Sequence, residues 1–273
     1  MSLSIAAPDT VVLIHGLWMS PRSWERWASR FERRGLEVLA PAWPGMEGGV
    51  AELRSASSSI DQLGIAEILD AYELTIRALE RPPVIMGHSF GGAFAEMLLD
   101  RGLGASGVAI DAAGVRGITK LSFGSGQPVP TAANRHRAVS LSFEEFRYSF
   151  ADTLCEAEAA DAYERYAVPA PGRVLWEAAL ANFGPRAPLR LDFGKPDRAP
   201  LLMIDGEEDH VVPAVVDKAA ARRFERSDAV TVFKEFPGRA HCMIGRDGWE
   251  EVADFALEWA LEHAVAAAAI AAA

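Results

Sequence analysis

Cysteine is nearly missing from this chain. The two present, Cys155 and Cys242, stand far apart and in no metal-ligand spacing, so neither a disulfide framework nor a zinc knuckle is indicated. Basic residues are in deficit as well: Lys+Arg 27 against Asp+Glu 38 leave a formal net charge of -11. A surface of that sign repels nucleic acid and anionic membranes, and its main consequence is solubility. Residues 1–9 hold no basic segment and no hydrophobic run of signal-peptide length, so the expectation is a cytoplasmic protein without integral membrane association. What the chain does have is length. Its 273 residues are ample for a sizeable hydrophobic core, either as one large α/β domain or as a core domain carrying an insertion.

The chain is organised around residues 83–99. Val84-Ile85-Met86 reads as a buried strand that stops at Gly87, and a helical pattern starts directly after Ser89, which leaves the serine on the turn between them. Gly87-His88-Ser89-Phe90-Gly91 is a Gly-x-Ser-x-Gly motif in the strand–turn–helix context of a nucleophile elbow. A Cβ at Gly87 or Gly91 would collide with the crowded backbone, and Gly92 lets the helix pack close to the sheet. The helix N-terminus behind Ser89 offers free N–H groups and a favourable field to a developing oxyanion. The five-residue motif alone is weak, because glycine is common. The flanking strand and helix separate it from a surface Gly/Ser turn.

In chain order, residues 10–14 form a β-branched run ending at His15-Gly16, the pattern of a buried parallel strand. Ser20-Pro21 signals a helix start before Trp24, Trp27 and Phe31, and Gly35 a stop before a strand at 36–40; together these imply a right-handed βαβ unit. The Gly/Pro-rich loop 41–49 carries Trp43 and Met46, either ligand contacts at a strand end or packing residues beneath the loop. A helix is expected over 60–79, and a strand over 107–110 ending at Asp111. From residue 114 to 199 the alternation of strands and helices breaks into a Gly/Pro-rich connector through Pro130 and short helices. One of these follows the capping box Ser142-Phe143-Glu144-Glu145, and another opens at Pro171-Gly172-Arg173. The domain reading is therefore a core of residues 1–113 and 200–273 with a helical cap, or lid, at 114–199. The sheet resumes at 200–206, a helix follows at 215–224, then a strand at 229–233 and a last helix capped by Asp247 with Glu250 three residues on. The alanine-rich tail from residue 264 is expected to fray.

A serine hydroxyl needs a base to take its proton, and the base needs an orienting acid. Of the six histidines, His241 lies in a loop between the last strand and the last helix, from which it can reach across the carboxyl edge of the sheet. The acid comes most simply from the loop 206–213, as Asp209, with Glu207 and Glu208 as weaker rivals and Asp111 as the serious one, since it too ends a strand on that edge. The order Ser89, Asp209, His241 is the one associated with this elbow. His88 and His210 are expected to point away from the site in supporting or solvent roles, and His263 to be exposed.

With these residues in place the chain resembles the α/β-hydrolase superfamily, in its cap-bearing serine esterase/lipase-like branch. The resemblance rests on Gly87 to Gly91, on His15-Gly16 as the oxyanion-loop pair, on the Gly-x-x-Asp-x-x-x-Pro loop from Gly206 to Pro213, and on the late His241. It implies an α/β class fold, the α/β-hydrolase fold, with a mostly parallel sheet and an inserted helical cap; this chain departs from the family in having no room before Thr10 for the usual first two strands, so the sheet is expected to be shortened at its N-terminal edge. It also implies an oxyanion hole made by the backbone N–H groups of Leu17 and Phe90 and a structural His15; no cofactor or metal is expected. Trp43-Pro44-Gly45 departs from the family's common Asp-x-x-Gly-x-Gly loop.

The activity expected is that of a serine carboxylesterase acting on uncharged, fairly apolar carboxylic esters through an acyl-enzyme on Ser89. The alternatives are thioesterase, amidase, hydroxynitrile lyase or perhydrolase chemistry on the same scaffold and, remotely, a non-catalytic ligand-binding protein. Pocket candidates are Trp18, Trp43, Met46, Phe146, Phe150 and Trp176. The 114–199 region also carries Phe143, Tyr148, Tyr163, Tyr166 and Phe183, more aromatics than its short helices need for mutual packing. The expected partner is a small-molecule ester, with a polymeric ester as second option, and the protein a monomer or homodimer.

Overall fold

Thr10–Ile14 folds into β1, every residue of it buried, because its alternating side chains must serve two hydrophobic layers at once. Val11 and Leu13 face one layer with Trp24, Trp27 and Phe31, while Val12 and Ile14 face the other with Trp43, Ile85 and Phe94. The computed structural model describes residues 7–55, 57–116, 132–182 and 188–265. After β1 come α1 (Glu25–Glu32), β2 (Glu37–Leu39), α2 (Val50–Ser55), α3 (Ile65–Arg77), β3 (Val84–His88), α4 (Phe90–Asp100) and β4 (Ser106–Ile110). Then follow β5 (Ala138–Val139), α5 (Phe143–Phe150), α6 (Glu156–Tyr166), β6 (Ala170–Pro171) and α7 (Gly172–Ala179). The chain closes with β7 (Leu201–Gly206), α8 (Val215–Phe224), β8 (Thr231–Phe236) and α9 (Trp249–His263).

Among the described residues the main sheet has six strands, all parallel, in the order β2-β1-β3-β4-β7-β8. Its register brings the carboxyl ends together: Ile14 lies beside Gly87, His88 beside Ile110, and Gly206 beside Phe236. The loops after β3, β7 and β8, which carry Ser89, Asp209 and His241, therefore open on one edge. Between β4 and β7 the described chain adds no strand to this sheet; it holds α5, α6, α7 and a short antiparallel pair, β5 with β6. Arg54 on α2 fastens that region to the core through the carbonyls of Tyr163 (2.6 Å) and Ala167 (3.0 Å). Among the described residues no helix is long and apolar enough to cross a membrane.

Several boundaries differ from expectation for identifiable reasons. Ser20 makes no side-chain cap, and Pro21–Trp24 is a 3₁₀ turn before α1. The helix expected from residue 60 starts at Ile65, whose N–H is capped by Glu177 of α7 at 2.8 Å, a partner more than a hundred residues away. The cap of α9 is Gly248 in the left-handed region (φ 78), so the Asp247 capping box does not form. Arg239 takes the Asp247 carbonyl instead. The strand expected over 229–233 is Thr231–Phe236, its later half masked in the sequence by the edge residues Lys234 and Glu235. The capping box at Ser142 forms as read, with Ser142 N–H on Glu145 Oε2 at 2.7 Å and Glu145 N–H on Ser142 Oγ at 3.2 Å. Phe183 and most of the Gly/Pro-rich connector lie outside the described residues, as does the tail beyond residue 265.

Candidate active site

Ser89 sits between β3 and α4 at φ 56, ψ −121, a conformation that a non-glycine residue adopts only when its surroundings impose it. The imposition is visible. The Ser89 carbonyl accepts from the N–H groups of Gly92 (2.9 Å), Ala113 (3.0 Å) and Ala93 (3.2 Å), and its own N–H donates to Ile110 at 2.9 Å. A Cβ on Gly87 would run into the Gly91 carbonyl, and one on Gly91 into that of Ile14, which is why the motif carries glycine at both places.

His241 meets this elbow from the loop after β8. Its Nε2 lies 3.2 Å from Ser89 Oγ, and its Nδ1 lies 2.7 Å from Asp209 Oδ2. A carboxylate accepts, so Nδ1 carries the proton and the Nε2 lone pair faces the serine hydroxyl. Asp209 is itself fixed, its Oδ1 accepting from the N–H groups of Val211 (2.7 Å) and Val212 (2.9 Å). All three residues are buried. Glu207 and Glu208 are exposed. Asp111 binds the Gly206 N–H at 2.8 Å instead of His241, and its other oxygen is 3.9 Å from His88 Nε2. Burial, with the charges of Asp209 and Asp205, pushes the Asp111 carboxyl well above the usual carboxylate range.

The remaining histidines have other work. His15 is fully buried, stacks on Trp43 at 4.7 Å and donates from Nδ1 to the Gly16 carbonyl at 3.0 Å; burial lowers its pKa to about 4. His210 joins the acid loop to α5 through the Tyr148 carbonyl at 2.7 Å. His263 is half-buried on Trp259 and not exposed as expected. His88 is buried behind the elbow, its Nε2 on the His241 carbonyl at 2.6 Å. His88, Asp111 and His241 place potential metal-ligating atoms within 4.8 Å of one another, but His88 Nε2 and both nitrogens of His241 already have the partners given above.

Of the oxyanion and pocket candidates, Phe90 opens α4 beside Ser89, and Leu17 follows Gly16, whose α-carbon backs directly onto Ser89. Phe150 faces the His241 ring at 5.6 Å, and Trp18 at 6.5 Å and Phe146 at 5.3 Å stand against Phe150. Trp18, at φ 59, is held by its indole N–H on the Val139 carbonyl and by the Val168 N–H on its own carbonyl, both 3.0 Å. Trp43 and Met46 lie in the core, Trp43 between His15 and Phe94. Trp176 is half-buried on α7, and among the described residues it makes no ring contact with Phe150, Trp18 or His241.

Sequence reading missed a group of buried acids beneath the site. Asp217 on α8 accepts from the Ala112 N–H at 3.1 Å; burial and the charge of Asp205 push its carboxyl well up, and burial raises Asp205 itself to about 6. Glu96 on α4 is raised to about 8 by burial. The only signal was an acid inside otherwise apolar runs. A carboxyl whose folded pKa is raised contributes stability that is complete below its unfolded pKa near 4.5 and is lost as pH rises through the folded value, here about 8 for Glu96. His15 and His88, lowered to about 4 and about 3, act with the opposite sign, their contribution being lost as pH falls below 6.5. Of Glu96, His15 and His88, only Glu96 still titrates above pH 7. Glu96→Gln is therefore expected to leave the unfolding midpoint at pH 5 nearly unchanged and to raise it at pH 9, by a stability difference of a few kcal/mol. Thermal unfolding of both proteins across that range checks it; parallel curves would exclude Glu96 as the source.

A family model described as "Alpha/beta hydrolase family" matches residues 11–255. No curated protein matches the chain. Among solved structures, the monoacylglycerol lipase of Paleococcus ferrophilus is similar at 18% identity and a TM-score of 0.68, over 95% of this chain and 97% of that one. An extracellular alpha/beta-hydrolase from a Paenibacillus species is similar at 20% identity and 0.67, over 92% and 98%. A pyrethroid hydrolase from Sphingobium faniae is similar at 18% and 0.61, over 92% and 97%. At these identities the likeness is one of fold.

Proposed function

Because the chain belongs to the alpha/beta hydrolase family, we propose that it is a serine carboxylesterase for uncharged, apolar esters. The observation that carries this reading is the relay at the strained elbow, Ser89 Oγ to His241 Nε2 at 3.2 Å and His241 Nδ1 to Asp209 at 2.7 Å. Ser89 attacks the ester carbonyl while His241 takes its proton; His241 then protonates the leaving alkoxide, and Asp209 holds the imidazole in the tautomer this requires and stabilises the imidazolium. Water repeats the sequence on the acyl-enzyme and releases the acid. The N–H groups of Leu17 and Phe90 stabilise the oxyanion, in the field of the α4 N-terminus. Similar solved structures include a lipase and a pyrethroid hydrolase, which fits ester chemistry on this fold.

Residues 114–199 act as a cap that selects the substrate. Phe150 presents an apolar face beside His241 and is backed by Phe146 and Trp18, and there a methylene returns about 0.8 kcal/mol on burial and an unpaired charge is costly. The test is a screen of p-nitrophenyl esters of graded acyl length beside thioesters and amides. Turnover of the esters is expected; ester inactivity with thioester or amide turnover would replace this reading. In the same series Phe150→Ala is expected to move the chain-length optimum upward, each methylene accommodated changing kcat/KM by the equivalent of about 1–3 kcal/mol. An unchanged profile in the folded variant would remove Phe150, and with it the cap, from substrate selection.

A further inference from the structure

His241 stands on a loop that leaves the sheet at Phe236, so its backbone has no strand partner to fix it, yet its ring must meet Ser89 Oγ to within a few tenths of an ångström for proton transfer. The loop is held at Arg239, whose carbonyl accepts from the Glu208 N–H at 2.8 Å, and at His241 itself by the residue before the nucleophile. His88, 1% exposed, directs Nε2 at the main-chain carbonyl of His241 at 2.6 Å and packs its ring 4.8 Å from the His241 ring, tilted by 48°. A carbonyl only accepts, so His88 carries its proton on Nε2, and its buried Nδ1 has no hydrogen-bond partner among the described residues.

We propose that His88 is a positioning residue of the active site, which holds the His241 imidazole on Ser89 by gripping the His241 main-chain carbonyl from behind the elbow. The proposal rests on the serine-esterase reading of Ser89 and His241. His88 is covalently joined to Ser89 and hydrogen-bonded to His241, so one rigid ring sets the distance between nucleophile and base independently of the bond between them. Donor and charge requirements agree. Burial and the neighbouring His241 lower the His88 pKa to about 3, so the ring stays neutral at working pH and does not oppose the imidazolium that forms on His241 during turnover. Asp111 Oδ2, at 3.9 Å from His88 Nε2, is too far to draw that N–H away from the carbonyl.

The test measures kcat and KM for a p-nitrophenyl ester with the full chain and its His88→Phe, His88→Gln and Ser89→Ala variants. Phenylalanine keeps a ring against His241 and removes the donor; glutamine returns an N–H at similar reach. His88→Phe is expected to lower kcat by about 10- to 100-fold with KM within about twofold, as misplacement of a reacting group does, while His88→Gln recovers most of the loss. Wild-type kcat in His88→Phe, or a glutamine variant as slow as the phenylalanine one, would overturn the proposal. Ser89→Ala separates the two levels: if it keeps turnover the serine reading itself fails, whereas if it is inactive and His88→Phe is not impaired only the role of His88 fails. Should His88→Phe not fold, ¹⁵N NMR of the unaltered protein decides. A neutral ring with Nε2–H from about pH 5 to 9 supports the grip, and an Nδ1–H or doubly protonated ring overturns it.

Discussion

Ser89→Ala is expected to lower ester turnover by about 10⁴-fold or more while leaving the fold intact. The fold should survive because the three donors on the Ser89 carbonyl and the contacts of Gly87 and Gly91 hold the backbone of the elbow, and none involves the hydroxyl. The loss should appear in kcat and not in KM, since Oγ forms its bond to the substrate only in the transition state. Residual rate above water would come from the oxyanion hole and binding alone. Steady-state kinetics beside a thermal unfolding curve checks both halves of the expectation, and a variant that keeps most of its turnover would remove the mechanism.

The second large effect separates two aspartates. Asp209→Asn is expected to lose activity on the same scale, about 10⁴-fold, because an amide in place of the carboxylate can donate to Nδ1 and so stabilise the wrong tautomer of His241. Asp111→Asn should keep most activity. Its Oδ1 can go on accepting the Gly206 N–H, the second oxygen has no hydrogen-bond partner among the described residues, and the carboxyl is already held towards its neutral form by burial. Kinetics of the two folded variants decides it. The reverse pattern would give the acid's role to the aspartate after β4.

That choice shows where sequence reading stops. Residues 83–99 were legible because the strand, the glycines and the helix start are adjacent in the chain and each is demanded by local sterics; β1 emerged with its expected bounds for the same reason. Asp209 and Asp111 both end strands on one edge, and only the 2.7 Å contact to His241 distinguishes them. The late start of α3 depends on Glu177, and the role of His88 on a carbonyl 153 residues away, neither of which leaves a periodic trace. At α9 the aspartate–glutamate spacing misled, because Gly248 turns the chain at positive φ and leaves Asp247 outside the helix. The buried acids escaped because one charged residue within an apolar run does not disturb the pattern around it.

The account turns on Ser89 being acylated, and that can be observed directly. The protein is treated with a fluorophosphonate and, separately, quenched in acid during turnover of a p-nitrophenyl ester, and both samples are read by intact and peptide mass spectrometry. The expected result is one adduct per chain, on the peptide containing Ser89, abolished by Ser89→Ala together with turnover. A label on another residue, or unlabelled protein that still hydrolyses the ester, would contradict it.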